Sequence, residues 1–229
     1  MCTFLKVCRR HAVEGSLLAK GAEAELYLVE WFGLRAVLKW RKPKAYRHPA
    51  LDYQIRRRRT INEVRNMYIA HSLGVKVPAV YFFDPEKAAI VMEYVEGANL
   101  RDLLAQGAYD LLRDVGRLVG VMHKAGLIHG DLAPTNIIRA GDSLYFIDFG
   151  LGEVRKGWSK RTAVFMARDI NVLFRTLDLY GDRAEEMKRL FWDGYGEEMG
   201  ERAAAVEREL TKIRAAGRYA ERVSSSSRR

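Results

Sequence analysis

Apolar and polar positions alternate with a period near two along three early stretches. SLLAK (16–20), ELYLVE (25–30) and RAVLKW (35–40) each read as a short strand. The first two join across GAEA and the last two around Phe32-Gly33, so an antiparallel meander opens the pattern. The spacing then changes to three- and four-residue steps. Ile61, Val64, Tyr68 and Leu73 recur in this way and predict a helix from about Arg56 to His71. AVYFFD (79–84) and AAIVMEYV (88–95) return to strand character across a turn at Pro85-Glu86-Lys87. Past Glu96-Gly97, NLRDLLAQ (99–106) and YDLLRDVGRLVGVMHKAG (109–126) read as helices, the second stopping at a glycine as helices commonly do. NIIRA and SLYFID make one more hairpin around Gly141-Asp142, and from Ala167 the spacing is helical up to a polar tail.

Strands first and helices second give an α+β class with two unequal lobes. The expected division is a small β-rich N-lobe over 1–95, a reduced helical C-lobe over 96–217 and a flexible polar tail over 218–229, with a hinge near 93–98. No internal repeat breaks this order. Of the 229 residues 48% are hydrophobic, enough to furnish a core. No apolar run approaches the roughly 20 residues that cross a bilayer, and MCTFLKVCRR lacks the apolar stretch of a secretory signal. Cys2 and Cys8 are too few and too near one end for a disulfide framework or a zinc site. A reducing, cytoplasmic setting follows, with no membrane partner. The net charge of +10 points to polyanions such as nucleic acid, or to an acidic protein. Glutamine is confined to Gln54 and Gln106 while Arg, Glu and Ala abound, a bias of heat-adapted proteins.

The chemistry sits in HGDLAPTN (129–136) and IDFG (147–150). Phosphoryl transfer asks for metal ions on the phosphates, a carboxylate at the acceptor and a cation over the phosphates. Protein kinases supply these as a strand-borne Lys, a helical Glu, H-R-D-L-x-x-x-N and D-F-G, in that order. Here Lys39 ends RAVLK, Glu63 lies on the predicted helix, and the two motifs follow. Any one of these alone reads as a surface lysine, a solvated helix residue, a capped turn or a simple Asp-Gly bend. Four in the same order, each in its expected setting, point to a bilobal protein-kinase-like fold. Lys39 then pairs with the α- and β-phosphates and Glu63 holds its ammonium. Asp148 and Asn136 are the Mg²⁺ ligands, and Asp131 orients the attacking hydroxyl. In MEYV, the Glu93 carbonyl and the Val95 N–H read the adenine edge with Met92 behind it. His129 is read as a structural residue of the loop, without chemistry.

Two departures narrow the class. GAEA carries only Gly21 where ordinary protein kinases have three glycines, so Ala22 and Glu23 help to cover the phosphates and Glu23 faces the nucleotide. Gly130 replaces the Arg of HRD, and no A-P-E triplet follows Gly150, so switching by an activation-loop phosphate is not expected. With GAEA (21–24), YRHPALD (46–52), RTINEVR (59–65), IHGDLAPTN (128–136) and IDFGLG (147–152), the chain resembles the small atypical kinase of the KEOPS complex, the PRPK-like family. The likeness runs over about residues 15–217. It implies ATP and Mg²⁺ as cofactors, and serine/threonine kinase or ATPase activity serving threonylcarbamoyl transfer to adenosine 37 of tRNA. It also implies a threonylcarbamoyltransferase subunit on the C-lobe and a small regulator on the N-lobe. VFMARD stands where relatives carry E-D-K-A-V-D, so that Asp169 alone matches, and the C-terminal basic stretch is diluted.

RRRR (56–59) is expected to open the helix, where its cations oppose the helix dipole. A solvated patch is its plain meaning and a tRNA-facing patch the alternative. His48 and Pro49 stiffen the preceding loop, and Ser224 to Ser227 offer hydroxyls for self-phosphorylation. Two other readings stay open: a RIO-like or small-molecule phosphotransferase, and a non-catalytic tRNA-binding scaffold.

Overall fold

The computed structural model describes residues 15–226, with side chains through residue 216, so Cys2, Cys8 and Ser227 lie outside the described residues. Five antiparallel strands form the first sheet: β1 (Gly15–Lys20), β2 (Glu25–Trp31), β3 (Leu34–Trp40), β4 (Val80–Asp84) and β5 (Ala89–Glu93), in the order β1-β2-β3-β5-β4. Side chains alternate across β3. Ala36, Leu38 and Trp40 bury themselves with Val29, Ala89 and Val91 in a small outer layer. Val37, Lys39 and Arg41 therefore belong to the opposite face, and the Arg41 N–H to the Ala88 carbonyl (3.0 Å) extends the ladder one residue.

Helix α1 (Pro49–Ser72) packs on that face. It starts seven residues earlier than its periodicity predicts, because His48 takes the N-cap position and Pro49 the first turn, where a missing N–H costs nothing. RRRR thus sits inside the helix and does not oppose its dipole. The inward stripe is Thr60, Glu63, Asn66, Met67 and Ala70, while Tyr68 is 74% exposed. A mostly polar buried face explains why the apolar spacing misplaced the start.

The remaining elements are β6 (Ala98–Asn99), α2 (Leu100–Ala105), α3 (Leu111–Lys124), β7 (Leu127–Ile128), β8 (Ile137–Ala140), β9 (Ser143–Phe146), β10 (Glu153–Val154), α4 (Lys160–Leu177), α5 (Ala184–Met199) and α6 (Arg202–Ser226). Helices α3 and α5 meet backbone to backbone. A Cβ on Gly116 would lie 2.0 Å from the Phe191 carbonyl oxygen, and one on Gly194 would lie 1.9 Å from that of Arg113. Leu112, Val115, Val119, Met122, Phe174, Phe191 and Tyr195 are buried around this contact. Helix α4 begins at Lys160 instead of Ala167, because the Ser159 side chain accepts from the Thr162 N–H (3.1 Å) and caps it. The stretch expected to be a flexible tail from residue 218 is helical as far as Ser226.

Candidate active site

The cleft between the sheet and the helical part has a volume of about 400 Å³ and is lined by Gly21, Ala22, Glu23, Lys39, Met92, Asp131, Asn136 and Asp148 among others. Lys39 comes from β3, the two loop residues Asp131 and Asn136 follow β7, and Asp148 follows β9. Strand order alone therefore gathers groups that lie far apart in sequence.

Lys39 Nζ is 2.8 Å from Glu63 Oε1 and 2.8 Å from Asp148 Oδ1. Glu63 is fully buried and shares its second oxygen with the guanidinium of Arg41, which also donates to Thr60 Oγ1 at 3.4 Å. One carboxylate thus holds two cations, and a buried ion pair is favourable only when its remaining lone pairs find partners in this way. Burial pushes the Asp148 carboxyl upward, but the neighbouring charges of Lys39 and then Arg41 outweigh it and hold it below the ordinary value. Asp148 has a φ of 63°, a left-handed conformation that costs a non-glycine residue about 1–2 kcal/mol. Asn66 Nδ2 helps to hold it by donating to the Phe149 carbonyl at 3.3 Å.

The loop HGDLAPTN is held from below. Asp169 on α4 accepts the backbone N–H groups of His129 (2.8 Å) and Gly130 (2.9 Å) and contacts His123 Nε2 at 3.1 Å. Burial raises the Asp169 carboxyl, yet His123 and His129 more than compensate and keep it low. His129 Nε2 donates to the Ile147 carbonyl (3.1 Å), while its Nδ1 accepts the Asp131 N–H (3.3 Å). That tautomer is neutral, and burial holds the ring below the usual histidine range, so His129 acts as a spacer. Asn136 Nδ2 donates to the Asp131 carbonyl (2.9 Å) and Oδ2 (3.1 Å), which leaves its amide oxygen for another partner. Gly130 has φ +85° and a Cβ there would lie 2.4 Å from the Leu151 carbonyl oxygen, so the position excludes the arginine that protein kinases carry there.

The glycine loop is a closed turn. Gly21 N–H donates to the Ala24 carbonyl at 2.9 Å, Lys44 donates to the Ala22 carbonyl, and Glu23 pairs with Arg59 (2.5 Å) and Arg47 (3.7 Å). Ion pairs thus do the fastening that extra glycines would leave loose. Arg56 pairs with Asp52 (2.7 Å) and Arg57 with Glu86 (2.8 Å), so much of RRRR is locally neutralised.

Of the expected nucleotide contacts, Met92 lines the cleft, while Glu93 turns its carboxylate to the Ala79 N–H (3.0 Å) and Val95 is half-buried outside the lining. Sequence reasoning missed Arg41, although two-residue alternation from Lys39 along the strand identifies its face. It also missed Asn66, three residues past Glu63 on the same stripe of α1. Asp169 was read only as a match within a divergent segment, and its anchoring role appears once α4 is placed.

The donors present fit a magnesium nucleotide: carboxylate and amide oxygens suit a hard cation that keeps several non-protein ligands, and Lys39 suits phosphate.

Comparison with known proteins places this geometry. The RIO domain family matches residues 39–189. The KEOPS complex subunit Bud32 of Pyrococcus abyssi is 34% identical over 90% of this chain and 97% of its own length. The "Probable bifunctional tRNA threonylcarbamoyladenosine biosynthesis protein" of Methanosarcina mazei is 38% identical over 90% of this chain but only 36% of that protein, so the chain spans about a third of such fused relatives. Among solved structures, the Rio2 kinase of Chaetomium thermophilum in its ADP/Mg²⁺-phosphoaspartate complex superposes with a TM-score of 0.60 at 19% identity, covering 90% of this chain and 72% of that one, which shows a shared fold. With its cleft, its paired Lys39 and Glu63 and these relatives together, the chain belongs to the RIO-domain family, within the group of KEOPS Bud32 subunits.

Proposed function

We propose that this chain transfers or hydrolyses the γ-phosphoryl group of ATP with Mg²⁺, as an atypical serine/threonine kinase and ATPase serving tRNA threonylcarbamoyladenosine synthesis in a KEOPS-type assembly. The observation that carries it is the convergence of Lys39, Glu63 and Asp148 at 2.8 Å contacts, in one cleft with Asp131 and Asn136. Asp148 and the amide oxygen of Asn136 would hold the metal, which neutralises phosphate charge when bound. Lys39, held between two carboxylates, steadies the phosphates. Arg41 keeps Glu63 in place from its other side. Asp131 receives the acceptor proton, its position fixed by Asn136 and by the loop anchored on Asp169. Met92 closes the base end, with Glu93 and Val95 offering backbone groups beyond it.

The family likeness supports a threonylcarbamoyltransferase subunit on the C-lobe and a small regulator on the N-lobe. For the latter, exposed Leu17, Leu18, Phe32 and Leu34 give the first sheet an apolar rim that suits a partner. Basic surface supports contact with tRNA, and a cytoplasmic site of action fits these partners. The test is phosphate release and self-labelling from labelled ATP, with and without the partner transferase and tRNA. Turnover is lost in Asp148→Ala and kept in Arg57→Ala; turnover that survives in Asp148→Ala would overturn the metal-site assignment, and none in the unaltered chain would leave a scaffold role.

A further inference from the structure

We propose that a second cavity, formed by β10, the end of α3 and the starts of α4 and α6, binds phosphate groups of an RNA strand. It deepens the tRNA contact proposed above by naming its surface, and rests on that reading only for the identity of the RNA. The cavity has a volume of about 420 Å³ and shares no lining residue with the nucleotide cleft. Lys124, Arg155, Lys156 and Arg202 line it together with Trp158 and Gly126.

The charges there are incompletely matched. Glu153 pairs with Arg155 Nη2 at 2.8 Å and Glu198 lies 3.8 Å from Lys124. Among the described residues no carboxylate pairs with Lys156 or Arg202. Arg155 Nε is buried and has no acceptor, although buried donors of a folded protein are nearly always satisfied. A phosphate group held by Lys156 and Arg202 supplies the opposite charge that this cluster lacks.

The site is also rigid. The Arg155 guanidinium lies 3.7 Å from the Phe165 ring centroid, and its backbone N–H donates to the Gly126 carbonyl at 2.8 Å. Gly126 has φ +82°, and a Cβ there would lie 2.0 Å from the Arg155 carbonyl oxygen. Binding therefore orders little that is not already fixed. Trp158 selects among polyanions. It is 38% exposed and the Arg202 guanidinium lies over its ring at 5.1 Å from the centroid, a cation stacked on a flat ring of the kind that sites for single-stranded nucleic acid combine. A polyglutamate chain has no flat group to use the ring, and a single free phosphate uses one part of the cavity.

The full chain, titrated with a tRNA transcript across a salt series by anisotropy and by tryptophan fluorescence, tests the assignment. The double charge reversal Lys156→Glu with Arg202→Glu is expected to weaken binding about tenfold or more and to reduce the salt slope by about 1.4–1.8, at about 0.7–0.9 per phosphate contact. Arg58→Glu with Arg65→Glu, both exposed on α1, makes the same change in net charge and should leave affinity within about twofold in this local picture. Trp158→Phe should abolish the RNA-dependent fluorescence change. Equal weakening by the two double variants would overturn the site in favour of general charge attraction. So would RNA quenching that survives in Trp158→Phe, or polyglutamate binding as tightly as tRNA. Inorganic phosphate binding as tightly as tRNA would reduce the site to a free-anion pocket and overturn the RNA assignment. ATP turnover is measured in parallel, and its loss in Asp148→Ala with tRNA binding retained keeps the two proposals apart.

Discussion

Replacing Asp169 by Asn tests whether the loop carrying Asp131 is positioned by one buried carboxylate. The substitution keeps the volume but removes the charge and one acceptor oxygen. The His129 N–H bonds one oxygen and the Gly130 N–H the other, so one of these backbone donors loses its acceptor and faces the amide NH₂. Hydrogen bonds to charged groups contribute about 1.5–3 kcal/mol each, so the loss comes to about 2–4 kcal/mol once the retained bond is counted. That is tolerable against the 5–15 kcal/mol typical of a folded domain, and the protein should remain folded. The loop, however, is freed to shift, and a displacement near 1 Å costs about a hundredfold in rate. The expected result is a fall in kcat of about two orders of magnitude, with MgATP affinity nearly unchanged because Lys39 and Asp148 are not touched. The sign of the pH dependence follows from the lowered carboxyl. Its stabilisation is complete above the ordinary Asp value near 3.9 and is lost as pH falls through the folded value. The stability gap between wild type and Asp169→Asn should therefore close in acid. Thermal melts across pH and single-turnover phosphate release provide the readouts. An unchanged kcat in a variant that has lost this stability would refute the anchoring argument.

Glu63→Gln strands two buried cations, so it should destabilise the fold by about 3–5 kcal/mol, whereas Lys39→Met leaves Arg41 on Glu63 and should cost about 1–3 kcal/mol; denaturant titration ranks them, and the reverse order would rule out Arg41 as the compensating partner. Gly130→Arg, which restores the residue usual in kinases, should lower the melting temperature and turnover together, because a left-handed site costs about 1–2 kcal/mol before the clash with Leu151 is added. Arg59→Ala releases Glu23 and loosens the phosphate loop. An exposed pair contributes under about 1 kcal/mol, so stability should hold while the KM for MgATP rises several-fold, measured by steady-state kinetics.

Strands β2 and β3 and helix α3 were plain in the sequence because their apolar residues recur at the period of the element that buries them. The grouping of Lys39, Glu63, Asp131, Asn136 and Asp148 was legible too, because the order of the motifs marks residues that the fold brings to one cleft. The start of α1 was hidden, since its buried stripe carries Thr60, Glu63 and Asn66, and polar residues leave no apolar period. The start of α4 was hidden for a different reason: a serine cap spans only Ser159 to Thr162 and leaves little periodicity to detect. Arg41 and Asp169 were hard to assign because their partners are distant in sequence. Glu63 lies 22 residues from Arg41 and the His129 backbone 40 residues from Asp169, distances that only the folded topology closes.

After Gly152, Glu153 and Val154 pair with β7, the Arg155 N–H bonds the Gly126 carbonyl, and Ser159 caps α4. A stretch so occupied leaves little chain to lie across the acceptor side of the cleft. Under the proposed phosphoryl transfer that flank would be left to solvent, where water competes with every hydroxyl for the transferred group. A neighbour docked on it would acquire two duties together, keeping water out and choosing the recipient. On that reading the timing of turnover would belong to the assembly and not to the isolated chain.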